Sequence, residues 1–145
     1  MNDFLTLEKQ LCFAIYQTSS EFTKLYTSVL QPFGLTYSQY LVLLALWEKD
    51  AVTAKELGVI LNLGTGTLTP MLTRMEANGW IRKERSKADE RVICIYLRKK
   101  ARQEKQAITK KIAKEIQTCQ IEPEEYQQLM LRLNQLQAKI SRRQG

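Results

Sequence analysis

One stretch, from Ala51 to Leu97, constrains what this chain can fold into. It reads as a helix over residues 52–61, a tight turn, a second helix over residues 65–78, and then a β-hairpin. The hairpin strands are residues 80–85 and 92–97, joined by a polar turn over residues 86–91. Thr53 followed by Glu56 is a capping box, in which the hydroxyl takes one orphan amide and the carboxylate reaches back to another. Val52 and Leu57 stand where a hydrophobic staple would close over that start, and Leu57, Ile60 and Leu61 give the helix its apolar stripe. Asn62-Leu63-Gly64 then breaks the helix, as a helix-turn-helix requires.

The second helix carries the candidate reading face. Leu68, Met71, Leu72 and Met75 recur at i, i+3, i+4 and i+7, so one side belongs to the core. The opposite side carries Thr65, Thr67, Thr69, Thr73 and Arg74, with Pro70 among them. Threonine hydroxyls bond phosphates or base edges, and the carbon atoms of threonine and proline touch thymine methyl groups. The bland alternative is a core helix with a solvated threonine face. Pro70 is expected in the first turn, because deeper in a helix it removes a hydrogen bond and bends the axis. Gly79 is placed to end the helix.

Charge decides between these readings. The chain carries a formal +7, yet residues 82–114 alone hold 13 Lys/Arg against 4 Asp/Glu, a net of +9 that leaves the remainder at −2. A basic block in an otherwise nearly neutral chain is the footprint of a polyanion partner. A basic membrane-surface helix fits poorly, because the block begins in a hairpin, and no membrane partner is expected. Within the hairpin, Lys83, Arg85 and Lys87 lead to Asp89 and Arg91. A hairpin tip is narrow enough to lay an arginine into a minor groove, and Asp89 can hold that guanidinium in a fork. The competing reading is a solvated run of charge.

Other chemistries have little to work with. There is no histidine, which removes His-dependent triads, Cys–His pairs and His-ligated metals. Cys-x-x-Cys and a phosphate-binding glycine loop are also missing, so neither catalysis, metal nor cofactor is expected. No stretch of about 18 apolar residues spans a bilayer. Met1-Asn2-Asp3-Phe4 lacks the charged start of a secretory leader. Cys12, Cys94 and Cys119 are odd in number and far apart, which reads as free thiols in a reducing cytoplasm. Cys94, inside a strand, reads as packing.

The flanking segments are helical. Residues 6–30 read as one helix with a stripe of Leu7, Leu11, Ala14, Thr18, Phe22, Leu25 and Val29, and Cys12 lies at the edge of that stripe. Tyr26 points to nearly the same side but about 21 Å further along the axis, so the two meet only if two copies of the helix pack antiparallel about a two-fold axis. Thr36 with Gln39 forms a second capping box, with Leu35 and Tyr40 as its staple, opening a helix over residues 37–48 that is apolar nearly all round and therefore central. A basic helix over residues 98–118 follows. Pro123 then fits the first position of a last helix, whose Tyr126, Leu129, Leu133, Leu136 and Ile140 step 3, 4, 3, 4 as a heptad seam. The expected class is mainly α with a small β-hairpin wing: a winged helix-turn-helix over residues 36–98 in a helical homodimer built by residues 1–34 and 99–145. An intramolecular bundle is the alternative use of the end helices.

Gly66-Thr67-Leu68-Thr69-Pro70-Met71-Leu72, then Arg74-Met75-Glu76, and the wing Arg85-Ser86-Lys87-Ala88-Asp89-Glu90-Arg91 together resemble the MarR family of winged-helix repressors. With Gln10-Leu11-Cys12-Phe13 and Leu35-Thr36-Tyr37, the chain is similar to the organic-hydroperoxide-sensing branch of that family. The resemblance implies a homodimer on an inverted-repeat operator in double-stranded DNA, read by Thr65, Thr67, Thr69, Pro70, Arg74, Lys83, Arg85, Lys87, Asp89 and Arg91. It implies that organic hydroperoxide or a related oxidant oxidises Cys12, with Tyr26 and Tyr37 bonding it across the dimer, and it marks Cys119 as a possible resolving thiol. Two departures stand out. Gly64 replaces an acidic residue before the reading helix, leaving Thr65 to cap it. Arg98-Lys99-Lys100-Ala101 replaces a Thr-Glu-x-Gly turn after the wing, which changes how the wing joins the next helix and adds charge for phosphate. Two other readings stay open: a repressor answering a small aromatic ligand with Cys12 inert, and a Cys-based redox enzyme. The enzyme reading leaves the basic block unexplained.

Overall fold

Two threonines set where the inner helices begin. Thr36 Oγ1 accepts from the Gln39 amide at 3.2 Å, and Gln39 Oε1 accepts from the Thr36 amide at 3.1 Å, opening helix α2 (Tyr37–Glu48) with the predicted box. Thr53 Oγ1 accepts from the Glu56 amide at 3.0 Å and opens α3 (Ala54–Leu61). The helix does not begin at residue 52 as expected. Val52 and Thr53, both β-branched, form a short strand β1 (Val52–Thr53).

These elements belong to a computed structural model that describes residues 2–143. Residues 1 and 144–145, the outer ends of the predicted 1–145 domain and the start of the segment read for a leader, lie outside the described residues. The chain divides into two compact units, residues 1–111 and 112–145.

In the first unit, α1 (Leu11–Leu30) starts later than residue 6. Residues before it form two short 3₁₀ turns, Asn2–Leu5 and Leu7–Lys9. Thr6 makes no capping bond, and Lys9 stands where a capping box needs an acceptor side chain. Helix α4 (Thr65–Ala77) follows α3 after an Asn62 in the left-handed conformation (φ 55°). Gly58 lets the turn close: a Cβ there would lie 3.0 Å from the Leu63 carbonyl oxygen. Strands β2 (Ile81–Arg85) and β3 (Ile93–Leu97) make the predicted wing, and β1 adds a third strand in the order β1-β3-β2, all antiparallel. Val52 pairs with Ile95, which Lys83 meets from the other side.

The core takes in the expected face of α4, whereas Leu44 of α2, a helix expected to be buried nearly all round, is exposed. Val42, Leu43 and Leu46 of α2, Leu57 of α3, Leu68, Met71, Leu72 and Met75 of α4, and Trp80, Ile81 and Ile95 are buried together with Ala101 and Ile108 of α5 (Lys99–Gln117). Ile60, expected on the buried α3 stripe, is instead exposed beside Val59. The helix has only eight residues, and its one fully buried side chain is Leu57. Along α1, only Val29 and Leu30 at the C-terminal end are buried, while Leu11, Ile15 and Phe22 are exposed.

In the second unit, the last turns of α5 lead through a left-handed Gln120 to α6 (Pro123–Arg142). Pro123 takes the first position, and Glu124 and Glu125 complement the helix dipole. The heptad residues Tyr126, Leu129, Leu133 and Ile140 are all exposed. Among the described residues, no single helix is long and apolar enough to cross a membrane.

Candidate nucleic-acid interface and redox site

Helix α4 turns its leucines and methionines inward, so Thr65, Thr67, Thr69, Pro70 and Arg74 are all exposed on the other side. Its N-cap is Gly64, with no capping side chain. Thr65 therefore does not cap the helix as expected. It is the first helical residue, and the opening turn has no side-chain acceptor, although the Thr67 amide donates to the Gly64 carbonyl at 3.1 Å. Neutral small residues over such amides suit a phosphate. Pro70 is not in the first turn either: it is the sixth residue of α4 and leaves the Gly66 carbonyl without its helical donor.

The wing tip is a folded turn. Ser86 donates its amide to the Val92 carbonyl at 2.8 Å, and the Ser86 hydroxyl accepts from the Ala88 amide at 3.2 Å. Arg91 donates Nε and an Nη to the two Asp89 carboxylate oxygens at 3.2 and 3.3 Å, the expected fork. The Arg91 guanidinium and backbone amide hold the Asp89 carboxyl below the usual carboxylate range. The Arg91 side chain is itself 90% exposed, so its charge stays available to a partner. Arg85 is spent differently from the sequence reading: Nη1 donates to the Glu90 carbonyl at 2.7 Å and stiffens the turn. Lys83 points back to the reading helix, donating Nζ to Thr73 Oγ1 at 2.9 Å, while its amide donates to Glu76 at 2.7 Å. Lys87 is exposed at the tip.

Between α3, the start of α4 and the wing lies an open cleft of about 910 Å³. Thr65 and Thr69 line it from one side, Arg91 from another, and Lys55 from α3. Lys55 escapes a reading of the sequence by motif. A signal is there nonetheless: a lysine in the first turn of a helix opposes the dipole, which flags a cation kept for another reason. The stretch 98–101, read as added phosphate-binding charge, is partly committed within the protein, as is the neighbouring Arg102. Lys100 Nζ donates to the Asn78 carbonyl at 3.0 Å and lies 4.4 Å from the Trp80 ring centre, and Arg102 pairs with Asp50 at 2.9 Å.

The thiol site is built at the other end of α1. Because the helix begins at Leu11, Cys12 is its second residue and exposed, among first-turn amides where negative charge is favoured. Its Sγ lies 3.7 Å from Gln10 Oε1. Gln10 Nε2 in turn donates to the Phe4 carbonyl. Tyr26 and Tyr37 are brought together, ring centres 5.2 Å apart. Cys12 is not with them, since fourteen residues of helix place it about 21 Å along the axis from Tyr26. Tyr40, expected only as a staple residue, is the third ring of this cluster at 5.8 Å from Tyr26, and burial followed by the neighbouring Tyr37 pushes its phenol up. Cys119 is exposed in the turn after α5, and Cys94 is half-buried in β3.

The family described as transcriptional regulator SarA/Rot matches residues 24–108. The chain is 48% identical over 101 residues to the HTH-type transcriptional regulator TtmR of Methylorubrum extorquens, covering 70% of this chain and 52% of that one. It is 50% identical over 95 residues to the organic hydroperoxide resistance transcriptional regulator of Bacillus subtilis, covering 66% and 65%. The match thus spans between half and two thirds of the length of these curated relatives. Among solved structures, reduced AbfR bound to DNA superposes with a TM-score of 0.84 at 38% identity, over 94% of this chain and 93% of that one.

Proposed function

The chain belongs to the MarR-type winged-helix transcriptional regulators, in the organic-hydroperoxide branch, and from that premise we propose that it is a homodimeric repressor released from DNA when Cys12 is oxidised. The observation that carries this reading is the exposed Cys12 thiol in the first turn of α1, on a helix whose Leu11, Ile15 and Phe22 are also uncovered. Residues 1–34 and 99–145 form the dimer, and residues 36–98 hold the DNA. Two copies of α1 packing antiparallel bring each Cys12 to the Tyr26–Tyr37 pair of the other copy. The threonine face of α4 enters the major groove, and Arg91, oriented by Asp89, enters the minor groove.

The chemistry balances on one thiol and one peroxide. The sulfur attacks the outer oxygen of ROOH, the O–O bond breaks, the sulfur becomes a sulfenic acid and ROH leaves. Sulfur loses two electrons and the peroxide gains them. Cys119 is the candidate resolving thiol, which would close a disulfide with that sulfenic acid and release water. The protein is a regulator, not a catalyst, so one oxidant is consumed per site.

Titrating the reduced protein on its operator with cumene hydroperoxide tests this. Consumption of one hydroperoxide per Cys12, with release of DNA, is expected. Continued turnover with added thiol would make it an enzyme, and DNA release only by an aromatic ligand, with no thiol reaction, would make it the ligand-responsive form. For the wing, Arg91→Ala should cost about 1–3 kcal/mol of specific binding while the melting temperature hardly moves. Unchanged affinity in a gel-shift titration would remove Arg91 from the interface.

A further inference from the structure

The basic segment 98–102 offers charge that the DNA reading does not need, and its hydrogen bonds run elsewhere. The first turn of α5 is tied to several separate elements of the winged unit. Lys100 Nζ donates to the Asn78 carbonyl, the C-cap of the reading helix, and rests on the Trp80 ring. The Arg98 amide donates to the Trp80 carbonyl at 3.0 Å, at the entry to β2. The Ala101 carbonyl accepts from Trp47 Nε1 of α2 at 3.2 Å. Arg102 pairs with Asp50, and Asp50 Oδ1 also accepts from the Leu97 amide at 2.9 Å, the last residue of β3. The same oxygen accepts from the Ala51 amide at 2.8 Å, in a turn where Ala51 takes φ 62°, a region alanine rarely visits. A non-glycine residue stays there only when its surroundings over-determine it.

We propose that Lys100 and the Asp50–Arg102 pair are positioning residues for DNA recognition: they clamp the C-terminal end of the reading helix and the root of the wing to the first turn of α5. The inference rests on the DNA-binding reading above. On this reading Lys100 and Arg102 touch no phosphate. They fix the angle between α4 and the wing, so that Arg91 and the threonine face meet the duplex together. A carboxylate that joins two backbone amides and a guanidinium does more than an exposed ion pair, because its loss frees the strand end as well as the charge.

Salt dependence separates positioning from contact. Each phosphate contact adds about 0.9 to the slope of log affinity against log salt, and a positioning residue adds nothing. The duplex is one that the parent selects from a randomised pool. Lys100→Met and Asp50→Asn should each weaken binding about threefold to tenfold with the parental salt slope. Lys100→Arg, which keeps a donor and a cation over Trp80, should restore affinity. Asp50→Asn combined with Arg102→Met should be no worse than either alone. A slope shallower by about one for Lys100→Met, or unchanged affinity in all variants, overturns the clamp. Amide exchange in the free protein keeps the two ideas apart. Exchange of the Leu97 amide should accelerate in Asp50→Ala, and unchanged exchange overturns the clamp, whereas a parent that selects no duplex overturns the DNA reading alone.

Discussion

A Cys12→Ser protein should stay on its operator at a hydroperoxide concentration that releases the parent completely. Serine keeps the size and a hydrogen-bonding hydroxyl, but its oxygen cannot become a sulfenic acid. Reduced parent and mutant should therefore bind alike. The effect on response is all-or-none because oxidation adds an atom where packing leaves little slack once a second copy covers α1. Displacement there shifts the helices that carry the two reading heads, and the half-site spacing is lost. Tyr26→Phe and Tyr37→Phe should slow oxidation while leaving reduced binding largely intact, since each ring keeps its place in the cluster. Release of the Cys12→Ser protein by peroxide would move the sensor to another thiol, with Cys119 next to be replaced.

The second large effect is with salt. A dimer that engages about 6–10 phosphates should lose about a thousandfold or more in affinity between about 50 and 200 mM salt. Several cations in the basic block also have partners within the protein, which compete with phosphate for them. Arg82 pairs with Glu84 and stacks at 4.4 Å on Tyr96, Lys83 bonds Thr73, and Lys111 lies 5.4 Å from the Phe33 ring centre. The slope per half-site should thus fall well short of the charge count. Filter-binding isotherms at several salt concentrations measure it, and an affinity indifferent to salt would contradict the polyanion reading.

Local signals were legible and non-local ones were not. Thr36, Thr53 and Pro123 begin helices as their side chains dictate, and the Leu68–Met75 spacing found the buried face of α4. The wing was readable because a polar turn separates two apolar-containing runs. Strand β1 was not, because two residues become a strand only through Ile95 and Cys94, far along the chain. The start of α1 was misplaced because the stripe continues through Leu7, whereas the break depends on the Gln10 side chain reaching the Phe4 carbonyl. Composition counted every lysine and arginine alike. Which of them face solvent and which close the fold depends on partners such as Asp50 and Asn78, which no spacing rule brings beside Arg102 and Lys100.

The glycine ahead of α4 has a consequence for how stability and recognition are divided. Most helices carry their own acceptor at the first turn, and replacing it by alanine costs about 1 kcal/mol, by glycine less. Here the N-cap side chain offers no acceptor, and a phosphate oxygen brought up by a bound duplex would take its place. The target completes the reader: part of the free energy that would have steadied the helix in isolation is released only on the duplex. An aspartate at residue 64 would reverse that division, giving a firmer free protein whose own carboxylate competes with the phosphate for the same amides.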